Sequence, residues 1–290
     1  AVGLMHTIIL DTDIGSDVDD ALALATLLGS ESANLFGITT VYGDTKLRAR
    51  IAHHLCHTAN KSIPVFAGVE TPLSGRKVWS TGSEGKAFSN LNQYALEDRR
   101  AVEFLVEAVN QNPGEIEVIA IGPLSNIATA IMQAPNFAKN VKHLWIMGGD
   151  FTKEKIEHNF KCDVDAAKIV LESEISMTIL DLPSSQKTII RKDEIEQIKS
   201  SGKLGPILHT EILNWIQPRH QDWTTPHDPI AVLAMLEPEF FDFSEIGSVQ
   251  ISEDGKSDWR LNEDGNVKRV SPSKPLEAVS AMISLIAKVT

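Results

Sequence analysis

Apolar and polar positions follow two rhythms along the chain. Short apolar runs at 7–10, 35–41, 118–121, 143–147 and 177–180 have the length and β-branched content of buried strands. Between them, segments 19–28, 46–58, 97–110, 124–132 and 166–172 carry apolar residues at helical spacing. Repeated strand–helix alternation predicts an α/β fold: a mostly parallel sheet flanked by helices, with a Rossmann-like open core. The rhythm breaks at 71–92, where Pro72, Gly75, Gly82 and Gly85 sit among polar residues. A loop of that length inside a compact domain is usually functional or disordered, and it is read here as a lid. Residues 189–229 read as helical and polar, 246–270 as short strands with turns at Glu253-Asp254-Gly255 and Glu263-Asp264-Gly265, and 276–289 as an amphipathic closing helix. No repeat or linker divides the chain, so one domain over 1–290 is expected.

Composition narrows the partners. A hydrophobic content of 42% supports a substantial core, and the formal net charge of -12 repels phosphate backbones, so nucleic acid is not an expected substrate. No apolar run approaches the roughly 18–20 residues of a membrane span. The two cysteines, Cys56 and Cys162, form no CxxC pair; they read as buried inert thiols in a reducing, cytoplasmic setting.

The candidate chemistry is concentrated in Asp11-Thr12-Asp13-Ile14-Gly15-Ser16-Asp17-Val18-Asp19-Asp20, with five aspartates and no cation between a strand and a helix. Crowded carboxylates repel and resist desolvation. A hard divalent cation held through oxygen, Ca²⁺ or Mg²⁺, is the simplest compensation, and the helix N-terminus adds partial positive charge beside Asp19 and Asp20. An EF-hand fits poorly, because Ser16 stands at the sixth position and Leu22 at the twelfth. A haloacid-dehalogenase-like phosphohydrolase would use Asp11 as nucleophile and Asp13 as acid/base, leaving Asp17, Asp19 and Asp20 without a purpose. A helix cap needs one carboxylate, not five.

Five stretches in order resemble the inosine–uridine-type nucleoside hydrolase family. They are 8–24 (Ile-Ile-Leu-Asp-Thr-Asp through Asp-Asp-Ala-Leu-Ala-Leu), Ile38-Thr39-Thr40-Val41-Tyr42-Gly43-Asp44, and Ile121-Gly122-Pro123-Leu124-Ser125-Asn126. Then follow Ile146-Met147-Gly148-Gly149 with Glu157-His158-Asn159 and Asp163, and finally His227-Asp228-Pro229. The resemblance implies a ribonucleoside N-glycosidase with one Ca²⁺ held by Asp13, Asp20, Asp228 and the carbonyl of Ile121. Asp19 is then the general base toward the attacking water, with Asp17 as the alternative. His227 stands near the departing base as its proton donor, the bland reading being a histidine that packs at a helix start. Glu157, Asn159, Met147 and Asp44 are assigned to the ribose. The resemblance further implies a small-molecule ribonucleoside substrate and a homo-oligomer, dimer or tetramer. A non-catalytic ribonucleoside-binding protein is the third reading, beside the phosphohydrolase.

The sequence departs from the family pattern in places. The aspartate loop is two residues longer than the common form, Asp44 replaces an asparagine, and the lid stretch 79–85 lacks a histidine. Trp79, Trp215, His220 and Trp223 are candidates to stack on the nucleobase, with Trp79 and Trp223 assigned to the substrate site. His53 and His57 have the i, i+4 spacing of a metal-binding helix, but the glutamate of His-Glu-x-x-His is missing, so a solvated or partly buried helix face is expected. Arg48 and Arg50 read as part of that polar face, at a subunit contact.

Overall fold

In the computed structural model, which describes residues 4–290, the parallel strands come first and carry the site. They are β1 (His6–Thr12), β2 (Ala33–Thr40), β3 (Val65–Ala67), β4 (Ile116–Ala120), β5 (His143–Met147) and β6 (Met177–Leu180). A second group follows: β7 (Phe241–Phe243), β8 (Gly247–Ile251), β9 (Ser257–Leu261) and β10 (Val267–Pro272). All belong to one sheet in the order β3-β2-β1-β4-β5-β6-β10-β8-β9, with β7 also on β10. Strands β1 to β6 pair in parallel, and β10 joins β6 in parallel too. The hairpin β8–β9 and strand β7 are antiparallel additions.

Why the parallel strands read as unbroken apolar runs is visible in β1. Ile8 and Leu10 enter the core on one sheet face, Ile9 the core on the other. Side chains alternate faces along a strand, so a strand covered on both sides needs apolar residues at every position. The helix Asp19–Leu28 is likewise buried at all ten positions. It packs against helices Thr45–Thr58, His227–Leu236 and Pro275–Ala287. Its end at Gly29 is set by packing: a Cβ there would lie 1.8 Å from the Leu285 carbonyl oxygen.

The order of the first six strands, 3-2-1-4-5-6, reverses direction between β1 and β4. In open α/β sheets the crevice beyond the carboxyl ends of the strands at such a reversal is where ligands bind, because the connections diverge to opposite faces there. Asp13 follows β1 and Ile121 follows β4, so the aspartate loop opens onto that crevice.

Some expected boundaries shift. The helix expected from 97 begins at Ala101, because Arg100 is extended and its guanidinium donates to Gly68 O at 2.6 Å. Strand β3, three residues long, carries too short a pattern to be read from sequence. The stretch 71–92 is irregular until the 3₁₀ turn Leu91–Gln93. The first half of this lid is tied down. Leu73 and Ser74 N–H groups donate to the buried Asp163 carboxylate, and Trp79 N–H donates to Tyr42 Oη at 2.6 Å.

Candidate active site

The crevice is a cleft of about 350 Å³, lined by Asp13, Asp17, Asp19, Asp20 and Asp228, with Ile121, Met147, Glu157 and Asn159 on the facing wall. That volume suits a small ligand. Trp79, Trp215, His158 and His227 complete its rim.

The carboxylate side is built from three elements. Asp13 leaves β1, Asp19 and Asp20 open the first long helix, and Asp228 opens the helix His227–Leu236. Asp20 lies within hydrogen-bond reach of both Asp13 and Asp228. Its Oδ2 accepts from Thr12 Oγ1 at 2.6 Å. Asp19 Oδ2 accepts the His227 N–H at 3.1 Å, while its Oδ1 is buried with no partner. Burial first, then the charges of neighbouring aspartates, push Asp19, Asp20 and Asp228 well above the usual carboxylate range. Asp17, half-buried at the lip, is raised to about 7 by burial, against the pull of N–H donors and Arg219. Gly122 is required beside them: a Cβ there would stand 3.0 Å from Asp13 Oδ1.

The opposite wall is pinned by backbone donors. Glu157 Oε1 and Oε2 accept from Asn159 N–H at 2.5 and 2.8 Å, and burial pushes Glu157 up to about 8. Asn159 Nδ2 donates to Met147 O at 2.9 Å and lies 3.4 Å from Ile121 O. Its carbonyl oxygen is thereby left for another partner. His227 Nδ1 is 2.6 Å from Ser185 Oγ, and that hydroxyl donates to Leu182 O at 2.7 Å. With its one proton so used, the hydroxyl accepts from Nδ1–H, which leaves Nε2 as an acceptor. Burial lowers His227 to about 4, so the imidazole is neutral near pH 7.

Arg48 was not expected here. It is 3% exposed. Its Nη1 donates to Asp13 O at 2.8 Å, Ile14 O at 3.1 Å and Ser16 Oγ at 3.0 Å, and its Nε donates to Tyr42 O at 2.7 Å. Reading Arg48 as a polar-face or subunit-contact residue is therefore incorrect: it is an internal clamp on the aspartate loop. Tyr42 holds φ +77°, a strained value for a bulky residue, and this turn aims its carbonyl at Arg48. Nothing in the sequence distinguishes Arg48 from a surface arginine, because its partners are backbone carbonyls brought in by tertiary packing.

The structure brings together Asp13, Asp19, Asp20, Ile121, Met147, Glu157, Asn159, His227, Asp228 and Trp79 around one cleft. It does not bring Asp44 or Trp223. Asp44 is exposed and spends its carboxylate capping the helix Thr45–Thr58, accepting Leu47 N–H at 3.0 Å. Trp223 is 39% exposed beside the Ile190–Thr224 bridge, and His220 is an exposed residue in a left-handed turn. Trp215 does line the cleft, as do His158, Leu182 and Ile156, which the sequence reading did not single out.

Asp11 is fully buried beneath the cleft and does not line it. Its Oδ1 accepts from Thr39 Oγ1 at 2.6 Å and Asn126 Nδ2 at 2.7 Å. A nucleophile needs access to its substrate, so the phosphohydrolase reading fails on this position. Both cysteines are buried and free, each pushed up to about 12 chiefly by burial. His53 and His54 pack on Tyr94, which is how that helix face is filled.

Residues 8–275 match the family described as inosine-uridine preferring nucleoside hydrolase. The chain is 31% identical over 293 residues to a protein of Oryza sativa subsp. japonica described as probable uridine nucleosidase 2, covering 92% of this chain and 85% of the relative. It is 29% identical over 221 residues to the pyrimidine-specific ribonucleoside hydrolase RihB of Escherichia coli O1:K1 / APEC, covering 72% of this chain and 69% of the relative. Among solved structures, the plant nucleoside hydrolase PpNRh1 superposes with a TM-score of 0.87 at 24% identity, over 97% of this chain and 99% of that one. The purine-preferring ribonucleoside hydrolase from Gardnerella vaginalis gives 0.81 at 23% identity, over 98% and 100%. These two likenesses concern the fold. Since the family match runs through the aspartate loop, the Ile121 turn and the His227-Asp228 helix start alike, the chain belongs to the inosine-uridine preferring nucleoside hydrolase family.

Proposed function

We propose that this nucleoside hydrolase cleaves the N-glycosidic bond of a ribonucleoside by attack of water, with one Ca²⁺ held by Asp13, Asp20, Asp228 and the Ile121 carbonyl. The observation that carries this reading is the partnerless, buried Asp19 Oδ1 in a wall where Asp20 reaches both Asp13 and Asp228 without a cation side chain between them. Among the described residues no group of three or more His, Cys, Asp or Glu side chains is spaced to hold a metal ion. The donor chemistry nevertheless fits: all are hard oxygens, the class Ca²⁺ prefers. Protons on crowded carboxylates, favoured by burial, are what a divalent ion would displace. When bound, the ion supplies charge compensation, a grip on the ribose diol and polarisation of the attacking water.

The chain's own residues do the rest. Asp19 is held on one oxygen by the His227 N–H and takes a proton from water on the other. Asn159 and Glu157 orient the ribose, and Met147 covers its apolar face. His227 meets the departing base with Nε2, an acceptor in the resting state; it orients the base, and it donates to the base only after Nε2 has taken a proton from solvent.

The test is release of reducing sugar from uridine and inosine after chelation and after Ca²⁺ add-back. Loss and then recovery is expected, with Asp13→Ala inactive in both states. Full activity of the chelated protein overturns the metal part. Tight nucleoside binding with no product overturns the catalytic part.

A further inference from the structure

The nucleoside cleft does not end at its two tryptophans. A second chamber of about 830 Å³ shares Ser16, Trp79 and Trp215 with it and continues outward between the lid and the helix Gly205–Ile216. Glu157, Asn159 and Met147, the proposed ribose contacts, do not line it, so on the ribonucleoside reading it lies beyond the base end. Its wall carries two cations, Lys86 on the lid and Arg219 after the helix. Neither has a carboxylate within 4.0 Å among the described residues. The Arg219 guanidinium lies 3.2 Å over the Trp215 ring centroid, and Nη1 donates to Trp215 O at 2.8 Å. That fixes its plane and leaves further N–H groups for an acceptor. Two carboxylates stand at this wall: Glu211, raised by burial and accepting from Asn214, and Glu84, whose oxygens are taken up by Ser16, Ser80 and Thr81. In a chain of net charge -12, Lys86 and Arg219 are two cations with no salt-bridge partner among the described residues, although the Arg219 charge also acts on Asp17 at the lip of the cleft.

We infer that this chamber is a subsite for a carboxylate-bearing substituent on the nucleobase. The inference rests on the ribonucleoside reading above. An Arg plane stacked on an aromatic ring is pre-organised for a two-point contact with carboxylate, and Lys86 adds a second charge from the lid side. A neutral extension of the same length enters the chamber without gaining either contact.

The experiment compares uridine, 5-carboxymethyluridine and its methyl ester, by kcat/KM and by calorimetric binding, on the wild-type chain and on Lys86→Gln and Arg219→Gln. The acid is expected to exceed the ester by at least about tenfold in the wild type, the scale of one charge-assisted contact. Each substitution should bring the acid toward the ester while uridine and ester stay within about twofold. An acid no better than the ester, or a substitution that lowers all three equally, overturns the inference. If neither uridine nor inosine is cleaved, the catalytic reading fails, and the acid-to-ester ratio of binding constants still decides this one. Lys86→Gln keeps the test sound if loss of Arg219 disturbs Trp215.

Discussion

Asn126 is the residue whose removal should tell most about how this site is held. It is fully buried at the start of the helix Ser125–Gln133. Its Nδ2 donates to Asp11 Oδ1 at 2.7 Å and to Thr40 O at 2.9 Å, and its Oδ1 accepts Val69 N–H at 2.9 Å. One amide thus ties β1, β2 and the exit of β3 together directly under the aspartate loop. Asn126→Ala removes three hydrogen bonds: Val69 N–H and Thr40 O lose this partner, and Asp11 Oδ1 falls from two donors to one. Asp11 keeps only Thr39, and its Oδ2 already lacks a partner. A buried group left without a partner costs about 1–3 kcal/mol. Two deeply buried groups and one half-buried N–H give about 3–5 kcal/mol in all, before water enters to recover part of it. At about 2 °C per kcal/mol for a chain of this size, Tm should fall by about 6–10 °C. Asn126→Asp keeps the shape but sets a second carboxyl against Asp11, whose own pKa burial already raises to about 7. Raised carboxyl pKa values mean the folded state binds protons the unfolded state has released. The Asp variant should therefore be closer to wild type at pH 5.5 than at pH 8. Thermal melts at both pH values check this. A fall of less than about 2 °C for Asn126→Ala, or no pH dependence for Asn126→Asp, would refute the account of the network.

Arg48→Lys should lower kcat/KM by about 10- to 100-fold, because a single ammonium cannot span Tyr42, Asp13 and Ile14 carbonyls at once and small displacements of reacting groups are costly; steady-state kinetics decide, and an unchanged kcat/KM would exclude a clamp. Glu84 accepts from Ser16 Oγ, Ser80 Oγ and Thr81 N–H; burial opposes its charge, but these turn donors outweigh it and hold it at about 2. Glu84→Gln should loosen the lid and raise KM by about three- to tenfold with kcat within about twofold, whereas a fall in kcat alone would count against a latch. His143 is lowered to about 4, chiefly by burial, so its stabilising effect is complete above its unfolded value of 6.5 and is lost as pH falls toward 4. Between pH 7.5 and 5 the wild type should lose about 1–2 kcal/mol more than His143→Gln in urea melts, and parallel losses would disprove the shift.

Much of the molecule is written locally. The apolar runs that become β1, β2, β4, β5 and β6 and the helices between them follow from periodicity, because burial on both sheet faces demands apolar residues at successive positions. The aspartate cluster stands out for a similar reason, since its charge density has no local compensation. Family order then links Ile121, Glu157, Asn159 and Asp228 to it, and the fold places all four on the same cleft. What the tertiary structure alone decided is where each polar group comes to lie and which distant partners it meets. Asp44 looked like a sugar ligand but is drawn into capping its own helix, the nearest orphan N–H groups being its best partners. Arg48 looked like a surface charge but finds carbonyls 34 and 35 residues away. Asp11, two residues from a proposed ligand, still lies within β1 below its carboxyl end, where Thr39 from β2 and Asn126 hold it buried beneath the cleft. Pattern along a chain records which faces are buried; it does not record which polar groups meet once the strands are ordered 3-2-1-4-5-6, and in this protein those meetings set the shape and charge of the site.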